Sequence, residues 1–148
     1  VSQPGTRVKS AVFYKTIEHT ADIGIEVDAP DAAGVFTNGA LAMFDLMYGL
    51  RSIRTKEKRR ITVTGENLSE LLVAWLNEVL YVYAVEKLLL AGFSEATLSG
   101  DCFSAWGVGE KLDPDVHRCD MEIKAATYHD LSFKQTGDRW TARIILDV

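Results

Sequence analysis

Apolar and polar positions alternate with two different periods along this chain, and the two periods mark out its elements. Ala11 to Ile17 reads as a strand. Ile23, Ile25 and Val27 alternate with Gly24, Glu26 and Asp28, the period of a half-buried second strand. His19 to Asp22 is then either the connection between these strands or a bulge in one long one. Asp31, after Pro30, is placed to cap a helix, and Phe36, Ala40, Met43, Phe44 and Met47 follow helical spacing up to a stop at Gly49. Gly34 and Gly39 weaken that helix, each by roughly 1 kcal/mol against Ala if exposed. Ile61 and Val63 alternate with Thr62 and Thr64 in a third strand. Asn67 followed by Glu70 is a capping-box pattern that opens a helix from Leu68 to about Ala91, with Gly92 as its C-terminal stop. Thr97 to Trp106 reads as a strand and Gly107 to Pro114 as a loop. Met121, Ile123 and Ala125 alternate with Glu122, Lys124 and Ala126. Leu131 and Phe133 begin a hairpin that turns at Gly137-Asp138. On the last strand Trp140, Ala142, Ile144 and Leu146 line one face, and Thr141, Arg143, Ile145 and Asp147 the other.

This order predicts an α+β fold, with two main helices packed on one face of a mostly antiparallel sheet. It predicts a polar arm over residues 1–10 and a single domain over 11–148. A length of 148 residues with 47% hydrophobic and 25% charged residues suffices for one real core. The net charge of −5 argues against a chain coated all over by nucleic acid, but leaves room for one basic patch. Arg51 to Arg60 is such a run, with six basic residues against one acidic. No aromatic residue is interleaved, so the run predicts at most weak or indirect RNA contact and not base stacking. Cys102 and Cys119 lack zinc-site spacing and are expected to be reduced thiols in a cytoplasmic protein. Asn77, Glu78, Glu86 and Lys87 interrupt the apolar stretch from Leu71 to Leu90, which makes it a buried helix and not a membrane span. The N-terminus carries no signal pattern.

Polar side chains with chemistry gather at two strand boundaries. Asp22 stands in the first, and Asp147 stands beside the terminal carboxylate of Val148. Asp22 either caps a turn or is a ligand; Asp147 is either a solvated end or a ligand. If the three anions meet, they repel unless a cation sits among them, and an all-oxygen set suits a hard divalent ion. His19 and His129 could each be a ligand, a proton carrier or a core histidine, whereas His117 is expected to be exposed. Lys124 is expected on a strand, facing away from Met121, Ile123 and Ala125, either solvated or reaching a partner's phosphate or acidic group. Walker, dinucleotide and nucleophile-elbow signatures do not occur. A stand-alone metal-dependent phosphohydrolase or nuclease, with His19 or His129 as acid or base, is the enzyme alternative. A chaperone-like binding module is the third.

Four segments carry a more specific resemblance: Glu18-His19-Thr20-Ala21-Asp22-Ile23-Gly24, Ala40-Leu41-Ala42-Met43-Phe44-Asp45, Lys124-Ala125-Ala126-Thr127-Tyr128-His129 and Ile145-Leu146-Asp147-Val148. In order and spacing the chain resembles the archease family from Phe13 to Val148. The resemblance implies a strand-helix-strand-strand (SHS2-like) module in a cytoplasmic protein that is not itself a catalyst. It implies an activator of an RtcB-type RNA ligase, which joins a 3′-phosphate or 2′,3′-cyclic phosphate end to a 5′-hydroxyl end with GTP and metal. The activator promotes ligase guanylylation and repeated turnover in tRNA splicing or RNA repair. It further implies a divalent cation, Ca²⁺ first with Mg²⁺ or Mn²⁺ as alternatives. Asp22 and Asp147 would be ligands, Val148 would give a main-chain or terminal oxygen, and Lys124 would match a lysine tied to activation. His19 and His129 would be supporting residues.

Overall fold

The computed structural model describes residues 10–11, 13–19 and 22–148. The polar arm expected over residues 1–10 lies outside the described residues except for Ser10. The described strands are β1 (Ser10–Ala11), β2 (Tyr14–His19), β3 (Asp22–Ala29), β4 (Glu57–Thr64), β5 (Leu88–Ser99), β6 (Cys102–Lys111), β7 (Ala125–Thr136) and β8 (Arg139–Asp147). The helices are α1 (Ala32–Tyr48) and α2 (Leu68–Glu86), with a short 3₁₀ turn at Leu50–Ser52. The α+β class, the antiparallel pairing and the two principal helices are those expected.

The strands divide into two sheets, one of five in the order β1-β2-β3-β8-β7 and one of three in the order β4-β6-β5. Helix α1 packs on β3 of the larger sheet and β5 of the smaller, and α2 packs on β7 and β4. The helix pair is therefore a layer that both sheets share. Trp75, fully buried on α2, donates its indole N–H to the Phe36 carbonyl of α1 at 2.9 Å. Phe36 stacks on Phe103 of β6 at 4.4 Å, and Trp75 meets the same ring edge-on at 4.7 Å. Gly39, a weak helix former, lets Leu76 of α2 approach, since a Cβ there would lie 3.3 Å from Leu76 Cδ2.

Both helix starts are capped as the sequence suggests. Asp31 Oδ1 accepts from Gly34 N–H at 2.7 Å, and Asn67 Oδ1 from Glu70 N–H at 2.9 Å. The end of α2 corrects the sequence reading. The helix stops at Glu86, Lys87 turns left-handed with φ 55° and donates to the Tyr83 carbonyl, and Leu88 to Leu90 are the fully buried start of β5. Gly92 lies inside that strand, next to a bulge, and not at a helix end. An apolar run reads alike as buried helix or buried strand, so periodicity could not place this boundary.

Two further corrections follow. The stretch read as one strand from Thr97 to Trp106 is the turn of the β5–β6 hairpin, with Gly100 at φ 62° and Asp101 between paired Ser99 and Cys102. Gly107 and Gly109 belong to β6 and not to a loop. They face inward, where a Cβ at Gly109 would overlap the Leu89 carbonyl of β5. The Gly137-Asp138 hairpin is as expected.

Candidate functional site

One end of the five-stranded sheet brings together Asp22, Asp147 and the backbone of Lys124. On β3 the odd positions Ile25 and Val27 are buried against the helices, and on β8 the even positions Ala142, Ile144 and Leu146 are. Period two therefore sends Asp22 and Asp147 to the opposite, outward face. The strand register pairs Ile23 with Leu146, so one step further sets Asp22 opposite Asp147. Asp22 is half-buried and Asp147 exposed. Behind them Gly24 lets two isoleucines close over the strand: a Cβ there would lie 3.1 Å from Ile145 Cδ1 and 3.2 Å from Ile17 Cβ.

Lys124 joins this end through its backbone. Its N–H donates to the Asp147 carbonyl at 2.8 Å, just before Ala125 pairs with Asp147. Lys124 is exposed, as expected, but it precedes β7 and does not lie in a strand. The reason is local. Residues 112–124 follow an irregular path over α1, tied by Asp120 N–H to the Met47 carbonyl at 2.7 Å.

Asn77 of α2 fixes the start of β7, and sequence reasoning missed its role. Its side-chain amide donates to the Ala126 carbonyl at 3.1 Å and accepts from the Ala126 N–H at 2.8 Å. β7 is the edge of its sheet, and the amide acts as a short substitute for a further strand. The signal was visible as a polar break in an apolar helix. Between α2 and residues 122–124 lies a cleft of about 600 Å³ lined by Asn77, Tyr81, Tyr83, Lys87, Glu122 and Lys124 among others.

Beneath this cleft Tyr48 and Tyr83 share a hydroxyl–hydroxyl bond of 2.7 Å, and Tyr83 donates to Glu122 Oε1 at 2.7 Å. Burial, first of all, pushes both phenols above the ordinary tyrosine value. Cys119 is exposed and its thiol is likewise pushed up, chiefly by desolvation. Both cysteines are free.

The histidines divide. β2 ends at His19, paired in register with Asp22, and the His19 side chain lies outside the described residues. His129 sits in an exposed bulge of β7, where residues 128–131 interrupt the register between Thr127 and Ser132. Its Nε2 lies 3.4 Å from Asp130 Oδ2. His117, expected to be exposed, is 5% exposed. Its Nδ1 accepts from Asp113 N–H at 2.9 Å, so Nε2 carries the proton and donates to Glu110 Oε2 at 2.8 Å. The Arg54 backbone N–H, then the His117 ring and Lys56, holds the Glu110 carboxyl below its usual value. This ring locks the 112–124 segment in place.

Among the described residues no three His, Cys, Asp or Glu side chains gather as a ready metal-binding group. The Asp22–Asp147 pair therefore offers two carboxylates. A main-chain oxygen of Val148 and water would have to complete a shell. Such a donor set fits a hard ion that takes six to eight oxygens and keeps some water, and it does not fit zinc.

Comparison with known proteins gives one consistent answer. The model of the archease protein family (MTH1598/TM1083) matches residues 14–148. The archease of Pyrococcus abyssi is 38% identical over 139 residues, covering 91% of this chain and 98% of that protein. That of Methanosarcina mazei is 32% identical over 139 residues, covering 91% of this chain and 95% of that protein. The solution structure of Methanobacterium thermoautotrophicum protein 1598 is 29% identical and superposes with a TM-score of 0.77, covering 91% of this chain and 98% of that one. The crystal structure of a Thermotoga maritima archease, described as a possible chaperone, shares the fold with a TM-score of 0.61 at 21% identity, covering 89% of this chain and 94% of that one.

Proposed function

The chain belongs to the archease family, and from that premise we propose that it is a protein activator of an RtcB-type RNA ligase and not a catalyst itself. It promotes ligase guanylylation and repeated turnover, in the cytoplasm, during tRNA splicing or RNA repair. Asp22, Asp147 and an oxygen of Val148 hold a divalent cation, Ca²⁺ first and Mg²⁺ or Mn²⁺ otherwise. Lys124 faces the ligase. When bound, the cation supplies positive charge at the strand ends. The chain's own residues orient it, while Lys124 joins the same end of the sheet through its backbone and turns its side chain to the α2 cleft.

What supports this reading is the register of β3 and β8, which joins Asp22 and Asp147 from opposite ends of the sequence, with Lys124 N–H bonded to the Asp147 carbonyl at 2.8 Å. The ligands stand on an outward face, so the site can meet a partner without disturbing the core. Two free thiols suit a reducing compartment. By length and composition α2 could cross a membrane, but half of it is buried within the fold, which fits a core helix.

The test is formation of the ligase–GMP adduct under multiple turnover, with cognate ligase, GTP and divalent metal. Wild type should stimulate it, and Asp22→Ala, Asp147→Ala and Lys124→Ala should each lose most of the stimulation. Lys124→Ala should keep its calcium-dependent rise in melting temperature while the aspartate variants lose theirs. Full stimulation by the aspartate variants would overturn the site. Hydrolysis of RNA ends by the protein alone would overturn the activator reading in favour of an enzyme.

A further inference from the structure

The basic run Arg51 to Arg60 takes no part in the site above, and the fold gives it an aromatic neighbour that the sequence does not. We propose that the outward face of the β4-β6-β5 sheet binds single-stranded RNA, with Trp106 as the stacking surface and Lys58 and Arg60 as phosphate contacts. This proposal rests on no part of the ligase reading.

Period two splits the run. Ile61 faces the core, and Arg59, on the same side, makes a two-pronged pair with Glu86 through Nε at 3.1 Å and Nη2 at 2.7 Å. Arg59 is thus a structural cation. Lys58 and Arg60 face the other way. There the register sets Arg60 opposite Trp106 of the central strand, and Lys58 opposite Val108. Lys58 Nζ and Arg60 Cζ each lie 5.9 Å from the Trp106 ring centroid. Arg60 Nη2 also reaches Ser104 Oγ at 3.3 Å, which holds the guanidinium beside the ring.

The rest of this face suits a nucleic-acid strand. The outward positions of β4 from Lys58 to Thr64 are Lys58, Arg60, Thr62 and Thr64, and those of β6 from Cys102 to Val108 are Cys102, Ser104, Trp106 and Val108. None of these is a carboxylate; the bordering ones are Glu110, the next outward position of β6, which is buried and held by the Arg54 N–H, His117 and Lys56, and Glu95, exposed in the β5 bulge after Ser94. Ser94 of β5 flanks Trp106 on its other side. Arg51 and Arg54 are exposed and extend the positive charge beyond the strand. Cations beside a flat ring bind a phosphate backbone and a base together, while an acidic peptide would use only the charge. The exposed hydroxyls of Thr62 and Ser94 are partners for a 2′-hydroxyl, which favours RNA over DNA.

The experiment is fluorescence anisotropy of a labelled single-stranded ten-nucleotide RNA with the full chain, without ligase, over a series of salt concentrations. Trp106→Leu should weaken binding about tenfold, while Trp106→Phe keeps a ring and should recover most of it. Lys58→Gln with Arg60→Gln should weaken binding and flatten the plot of log affinity against log salt by about 1.4, at about 0.7 per phosphate contact. Circular dichroism melting confirms that each variant is folded. Unchanged affinity in folded Trp106→Leu would overturn the stacking role. Equal affinity for duplex RNA or for poly-glutamate would overturn the platform, and equal affinity for DNA of the same sequence would overturn the choice of RNA.

Discussion

Replacing Asn77 by Ala should loosen the start of β7 and, with it, the approach to Lys124. The substitution removes two hydrogen bonds, at 2.8 and 3.1 Å, to the backbone of Ala126. At about 1 kcal/mol net each, their loss sets a cost of about 2 kcal/mol. Ala126 is 5% exposed, so its N–H and C=O are left without a protein partner on the α2 side, which raises the cost. The neighbouring cleft admits water to the gap and limits the rise. About 2 kcal/mol should lower the midpoint of thermal melting by roughly 4–8 °C in a chain of this size. Urea unfolding gives the free energy, and hydrogen exchange at the Ala126 amide gives its location. Asn77→Asp keeps the acceptor for Ala126 N–H but turns a carboxylate toward the Ala126 carbonyl, so it should not restore stability. A loss below about 0.5 kcal/mol, within the range of an ordinary surface substitution, or unchanged protection at Ala126, would refute the idea that this amide clamps the edge strand.

Three further outcomes are expected. Gly24→Ala should cost about 1–3 kcal/mol by overpacking, because its Cβ would press on Ile145 and Ile17, and denaturant titration reads it directly. Glu110 is held below its usual value by the Arg54 N–H, His117 and Lys56, so its contribution is present above the unfolded carboxyl value of about 4.3 and is lost as pH falls through the lower folded value; Glu110→Gln should flatten that acid limb of stability against pH. Tyr48 and Tyr83 are raised, so their contribution holds below about pH 10 and falls as pH rises beyond it; Tyr83→Phe should cost about 1–2 kcal/mol at neutral pH and reduce the alkaline loss, as followed by melting.

Local chemistry along the sequence already determines the class, both helix starts, the last hairpin and the alternation that turns Asp22 and Asp147 outward. Each depends on residues within a few positions: Asp31 and Asn67 at caps, Gly137-Asp138 at a turn, and period two along β3 and β8. The same kind of signal was present in Gly100-Asp101, but the surrounding apolar residues hid it. The end of α2 was not legible, because Leu88 to Leu90 are apolar in either conformation and only packing on β6 makes them a strand. Tertiary structure alone decided the division into two sheets and the burial of His117 against Glu110, since both depend on contacts between separate segments. It alone turned the Asn77 amide onto Ala126 and put Trp106 between the hydroxyls of β5 and the cations of β4. Strand register, which no local propensity encodes, brings the two ends of the chain together at Asp22 and Asp147.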